Sequence, residues 1–155
     1  MRILGLDLSS RAVGWALVEE GPKLQRWGVL RPKGRDFDER FLAAVDGVVE
    51  LVESLGVDVV AVERPVYVRN AAVALKLGGL FFCVIYTLSR RGVAVRSYEP
   101  SQVKLAATGT GKASKEQVQR LVGAVFGAHL PEDAADAAAT ALCCLHRINS
   151  VTERD

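Results

Sequence analysis

Ile3-Leu4-Gly5-Leu6-Asp7-Leu8, then Ser9-Ser10-Arg11, then Val13-Gly14-Trp15-Ala16-Leu17-Val18-Glu19 decides how the rest of the chain is read. Residues 2–8 are an apolar run of strand length, Ser9-Ser10-Arg11 reads as a turn, and Val13 to Glu19 as a second strand. Gly21-Pro22 marks another turn, and Leu24 to Leu30 a third strand. Three strands joined by short turns predict an antiparallel meander. One residue is out of place in it: Asp7 is a carboxylate inside an apolar strand, and a buried carboxylate without a partner is costly.

After Leu30 the period changes. Asp36 and Glu39 suit a helix start, Phe41, Val45, Val48, Val49, Val52 and Leu55 follow at helical spacing, and Gly56 suits the position just past the end. Val57 to Glu63 reads as a strand buried on both faces from its apolar run Val59-Val60-Ala61-Val62, and it closes on a second misplaced acid, Glu63. The pattern then predicts a helix over 70–91 ended by Gly92, a strand from Val93 to Tyr98, and a short helix from Pro100 or Ser101 to about Ala107. Gly109-Thr110-Gly111 breaks that helix, Ser114-Lys115-Glu116-Gln117 is a capping box opening the next, and Pro131 fits the first turn of the last. The order β-β-β-α-β-α-β-α-α-α predicts an α/β fold. Its mixed five-stranded sheet joins the meander to two parallel strands, with helices on both faces, in a single domain over residues 1–155.

Composition bounds the function. A chain of 155 residues, half of them hydrophobic, buries enough surface to need no disulfide staples. Cys83, Cys143 and Cys144 are odd in number, and two are adjacent, which predicts a reducing compartment and a cytoplasmic protein. No Cys/His spacing suggests zinc. A net charge of +2 is too small to declare a nucleic-acid partner. The strand-like start predicts no signal peptide, and the apolar stretch Leu77–Leu88 is shorter than the roughly 20 residues of a membrane span, so no membrane partner is expected.

The acids are where function is to be sought. Asp133 and Asp136 are three apart in an Ala-rich helix and share a face. If the strands of Asp7 and Glu63 are neighbours, one helix docked across the sheet edge brings four carboxylates together. Such a group repels itself, and a divalent cation best reconciles it. Each acid also has an ordinary reading. Asp7 can cap a turn or serve phosphate chemistry as in actin-like ATPases, Glu63 can pair with Arg64, and Glu132, Asp133 and Asp136 suit a helix N-terminus.

Six pieces in order carry a resemblance: Ile3-Leu4-Gly5-Leu6-Asp7; Ala61-Val62-Glu63-Arg64-Pro65; Asn70 with Ala74-Leu75-Lys76-Leu77-Gly78; Ser101-Gln102-Val103-Lys104; Lys115-Glu116-Gln117-Val118-Gln119; and Asp133-Ala134-Ala135-Asp136-Ala137-Ala138. Over nearly its whole length the chain resembles the RuvC family of Holliday junction resolvases. The resemblance implies a ribonuclease-H-like fold. It also implies a homodimeric endonuclease that resolves four-way DNA junctions by symmetric paired nicks, in recombination and repair or in phage DNA processing. It implies that Asp7, Glu63, Asp133 and Asp136 are catalytic and hold two Mg²⁺ or Mn²⁺ ions, with Asp7 bridging them. Lys104 and Lys115 become DNA-contacting lysines, and a branch-migration helicase a possible partner.

Arg64, Tyr67, Arg69 and Asn70 form a loop after Glu63 with an aromatic between basic residues, suited to stacking on an unpaired base, and Lys112 adds a further cation. The chain departs from the family where Val66 and Tyr67 stand near the usual Phe, and where Leu8-Ser9 replaces Pro-Gly after Asp7. These departures suit a divergent member, bacterial or phage-encoded, and keep flaps, replication forks and structured RNA open as substrates. A non-catalytic junction-binding or actin-like nucleotide-binding domain is the remaining alternative, opposed by four intact acids and by the lack of a Gly-rich phosphate loop. In helix 70–91 the pair Gly78-Gly79 disfavours a helix interior unless a backbone approaches closely. That points to a dimer interface, or else to packing on the chain's own sheet.

Overall fold

A computed structural model describes residues 1–9, 11–66 and 69–152. The strands are β1 (Arg2–Leu8), β2 (Val13–Glu19), β3 (Lys23–Leu30), β4 (Val59–Glu63) and β5 (Ala94–Tyr98). The helices are α1 (Phe37–Leu55), α2 (Ala71–Arg90), α3 (Pro100–Thr108), α4 (Lys115–Phe126) and α5 (Glu132–Thr152). The expected element order is found, and the sheet runs β3-β2-β1-β4-β5. β1–β2 and β2–β3 pair antiparallel, whereas β1–β4 and β4–β5 pair parallel.

Successive residues of a strand point to opposite faces, so β1 sorts its side chains between two cores. Leu4 and Leu6 join Trp15, Leu17, Val60 and Val62 under α1 and α2. Ile3 joins Ala16, Val18, Val59 and Ala61 under α3, α4 and α5. By the same alternation Gly5 and Asp7, and Glu63 on β4, belong to the α5 face. That face is built from small groups. Ala134, Ala135, Ala137, Ala138, Ala139 and Ala141 of α5 are all fully buried. A Cβ on Gly5 would collide with the carbonyl of Ala137 and lie 3.0 Å from the Ala141 Cβ, and one on Gly14 would collide with the backbone of Asp133. The helix therefore lies on β1 and β2 at backbone contact, a separation that larger side chains forbid.

Local chemistry sets the helix ends. Asp36 caps α1 by accepting from the Glu39 N–H, and Gly56 ends it at φ +62°. The capping box Ser114–Gln117 opens α4 as expected, and a second box, Glu99–Gln102, opens α3.

Some expectations need correction. β4 begins at Val59, not Val57, because the Asp58 carboxylate turns back to accept from the Arg2 N–H at 2.8 Å. β5 begins at Ala94, since the Val93 N–H is still bonded to the Leu88 carbonyl at the end of α2. Trp15 packs over Gly28, whereas Trp27 on the edge strand β3 is exposed. Gly78 and Gly79 have no atom within 4 Å of the place a Cβ would take, so they are not packed against the chain's own sheet. Helix α2 as a whole, unlike its stretch Leu77–Leu88, is long and apolar enough by length and composition to cross a membrane. Here its Leu80, Phe81, Val84 and Leu88 face belongs to the core.

The close approach of α5 makes Gly5 the most sensitive position in the sheet. Gly5→Ala should destabilise the protein by roughly 3 kcal/mol, as an overpacked methyl with backbone on both sides does. Urea unfolding measures this, and an unchanged midpoint would mean that α5 does not press on β1.

Candidate active site

Parallel pairing matches Leu6 with Val62, so the next residues, Asp7 and Glu63, stand side by side at one edge of the sheet. Antiparallel pairing matches Asp7 with Gly14, the residue over which the Asp133 backbone lies. Asp136 follows one turn later on the same helix, immediately before Ala137, whose carbonyl reaches Gly5. Three separate elements thus bring Asp7, Glu63, Asp133 and Asp136 to one edge. Pairing register and the small-residue contact under α5 place them.

Their electrostatics show that the acids face one another. The Asp7 carboxyl is pushed up from 3.8 to about 7, first by burial and then by the charges of Asp136, Asp133 and Glu63, with Lys115 opposing. Asp136 rises to about 6, again mainly by burial, with Lys115 pulling it down and Glu132 and Asp133 pushing it up. Glu63 is raised by burial and by Asp136 and lowered by Lys104 and Lys115. Among the described residues no three Asp, Glu, His or Cys side chains converge tightly enough to enclose one ion as they stand. The donor set is nonetheless all carboxylate oxygen, which suits a hard divalent cation, and the raised pKa values report negative charge that lacks enough compensation.

The basic residues take different places. Lys115 stands in the first turn of α4, where a helix disfavours a cation. It reaches across to α5, donating to Glu132 Oε1 at 2.9 Å, and lies 3.8 Å from Asp136 Oδ2. Lys104 on α3 is half-buried and close enough to act on Glu63. Arg64 is bound into the fold. Its N–H donates to the Tyr98 carbonyl at 2.8 Å, its Nε lies 3.8 Å from Glu99, and its guanidinium stacks 5.7 Å from the Phe81 ring centre. Asn70 caps α2, accepting from the N–H groups of Ala72 and Val73 at 3.0 and 3.2 Å. Arg69 and Lys112 are exposed, and Tyr67 lies outside the described residues. Sequence reasoning missed the Lys115–Glu132–Asp136 arrangement. A lysine at a helix N-terminus, against the dipole, was the available signal.

The family model described as crossover junction endodeoxyribonuclease RuvC matches residues 3–144. A crossover junction endodeoxyribonuclease RuvC from Trichlorobacter lovleyi is 40% identical over 151 residues, covering 92% of this chain and 84% of that protein. One from Moorella thermoacetica is 37% identical over 150 residues, covering 92% and 90%. Among solved structures, Thermus thermophilus RuvC in complex with Holliday junction substrate has a TM-score of 0.87 at 29% identity, covering 98% of this chain and 97% of that one. The yeast mitochondrial Holliday junction resolvase Ydc2 shares the fold, with a TM-score of 0.68 at 17% identity. The fold is thus the ribonuclease-H-like fold that the sequence resemblance implied.

The raised carboxyls have a consequence for stability. In the unfolded chain Asp7 and Asp136 ionise near their ordinary value of 3.8, whereas in the folded protein they hold their protons to about 7 and about 6. The folded state binds more protons between these limits, so its stability is fullest below about pH 4 and falls as pH rises through 6 and 7. In EDTA the protein should lose roughly 2–4 kcal/mol between pH 5 and pH 8 through these groups, and Asp7→Asn should remove much of the loss. Added Mg²⁺ should stabilise far more at pH 8 than at pH 5. Thermal unfolding across pH measures all three, and a flat profile in EDTA would contradict the mutual repulsion.

Proposed function

The chain belongs to the RuvC family of crossover junction endodeoxyribonucleases, and from that premise we propose that it resolves four-way DNA junctions by hydrolysing phosphodiesters at Asp7, Glu63, Asp133 and Asp136. The observation that carries the reading is the meeting of three elements' acids at one sheet edge, where burial and then the charges of Asp136, Asp133 and Glu63 raise the Asp7 pKa, and burial and then Asp136 raise that of Glu63. The four carboxylates would hold Mg²⁺ or Mn²⁺, two ions per site. When bound, such ions activate a water and stabilise the leaving oxygen of an in-line displacement. Asp7 and Glu63 sit on rigid strand ends and orient the site, and Asp133 and Asp136 close it from α5. Lys115 and Lys104 offset the acids' charge and offer cations to a phosphate. Water adds to phosphorus, the 3′ oxygen leaves and takes up a proton, and a 5′-phosphate end remains. Tyr67, Arg69, Asn70, Arg64 and Lys112 complete the proposed DNA contacts, and the reaction belongs in the cytoplasm of a bacterium or a phage-infected cell.

Asp7→Asn should lower nicking of a four-way junction by about 10³-fold while leaving junction binding in place. Cleavage is compared on junctions, flaps and RNA hairpins with Mg²⁺, Mn²⁺ or EDTA. Normal cutting by Asp7→Asn would end the metal assignment, and equal cutting of flaps would widen the substrate class.

A twofold junction calls for two sites. Leu75, Gly79, Phe82 and Tyr86 recur at i, i+4, i+7 and i+11 along α2, on one face. The three large ones are 78%, 62% and 67% exposed, and the glycines beside them leave open space. We assign this stripe to a second copy of the chain, since a backbone drawn in at Gly78-Gly79 offsets the helix cost of two glycines. Phe82→Glu should yield a monomer by sedimentation at micromolar concentration and should uncouple the paired nicks. A wild-type monomer at high micromolar concentration, with or without DNA, would overturn the assignment.

A further inference from the structure

Two loops at the carboxylate edge carry cations that the proposed chemistry leaves unused. Leu8 pairs with Val13, and Val13 with Leu30, so the end of β1, the start of β2 and the end of β3 lie along one edge. Neighbouring strands are about 4.8 Å apart, which puts Leu30 about 10 Å from Leu8. Beyond these ends stand Arg11, in the β1–β2 connection, and Arg31 and Lys33, in the β3–α1 connection, all exposed.

Both connections are fastened. Ser9 Oγ donates to the Ala12 carbonyl at 2.7 Å and accepts from the Ala12 N–H at 3.1 Å. In the second loop Arg35 is committed to Glu39, through its N–H at 2.8 Å and its guanidinium at 2.9 and 3.2 Å. Gly34 packs so closely on the first turn of α1 that a Cβ would lie 2.6 Å from the Glu39 Cβ. Arg31 and Lys33, either side of Pro32, have no ion pair among the described residues, and neither has Arg11. A lone exposed cation is ordinary. Three exposed cations without an ion pair among the described residues, beyond strand ends at the same edge as a carboxylate cluster, offer positive charge to an anion there.

We infer that Arg11, Arg31 and Lys33 form a phosphate-binding rail for a duplex DNA arm leaving the carboxylates on the β2–β3 side. The rail lies across the sheet edge from Lys104, which stands on the side of Glu63. It rests on the reading of this chain as a junction-cutting enzyme and adds the path of an arm to it. At a rise of about 3.4 Å per nucleotide, the rail meets the backbone about three nucleotides from the cut.

The test pairs two double variants of equal net charge. Arg31→Glu with Lys33→Glu reverses the rail. Lys23→Glu with Arg26→Glu reverses two exposed cations towards the other end of β3. Junction binding is followed by fluorescence anisotropy in EDTA across a salt series. The rail variant should bind at least about tenfold more weakly, with a salt slope smaller by about 2, and the control should stay within about twofold of wild type. Neutral methylphosphonates at the third to fifth linkages from the scissile one should weaken the wild type and leave the rail variant unaffected. Equal weakening by both variants, or no weakening by the rail variant, overturns the rail. Nicking of the same junctions by wild type is scored separately. Its absence overturns the enzymatic reading, whereas the rail is decided by the affinity difference alone.

Discussion

The contact between α5 and the β1–β2 pair governs this molecule. Gly5 on the sheet meets Ala137 and Ala141 of the helix and Gly14 meets Asp133, and at both positions the helix backbone occupies the space a Cβ would need. A helix carrying leucines would ride several ångströms higher, as ordinary helix packing does. At that height Asp133 and Asp136 would project past the sheet edge instead of over Asp7. The smallness of these residues is therefore a statement about the site. It sets the distance at which acids from two layers face one another, and it leaves little freedom to relax that distance.

The same contact gives the acids their unusual ionisation. Strand alternation sends Asp7 and Glu63 to the α5 face, where the neighbouring positions are glycine, alanine and valine. These side chains offer no hydrogen bond, so burial dominates the shift at Asp7, Glu63 and Asp136, and mutual repulsion adds to it. Lys115 and Lys104 answer part of this charge from α4 and α3. Lys115 divides itself between Glu132 and Asp136 while standing in the least favourable turn of its own helix. Its position makes sense only across the gap between helices, through the acids on α5.

Much of this was legible in the sequence, and the reasons differ from element to element. The meander, the two parallel strands and the helix order follow from apolar period and turn residues, so they survive almost unchanged. Asp7 and Glu63 stand out because a carboxylate in an apolar strand violates the local pattern. Asp133 and Asp136 do not, since acids at a helix start are ordinary, and there the family resemblance supplied what periodicity lacks. The start of β4 was misplaced because Val57 is apolar but Asp58 bonds back to Arg2. Arg31 and Lys33 carry no signal in the sequence, for only the strand register shows which end of β3 lies beside Asp7.

The carboxylates are gathered without being closed into a cage, and this suits a site whose ligands come and go. A cage tight enough to enclose an ion alone would hold its acids at still shorter range, and the repulsion that already lifts Asp7 to about 7 would grow. Held slightly apart, the acids remain compatible with a stable fold in which two lysines supply partial compensation. Under the proposed function an arriving cation and an arriving phosphate would complement each other, the first meeting the negative charge of the acids and the second meeting Lys104 and Lys115. Each thereby makes room for the other. The close approach at Gly5 and Gly14 holds the acids of the two layers at this range in the folded chain.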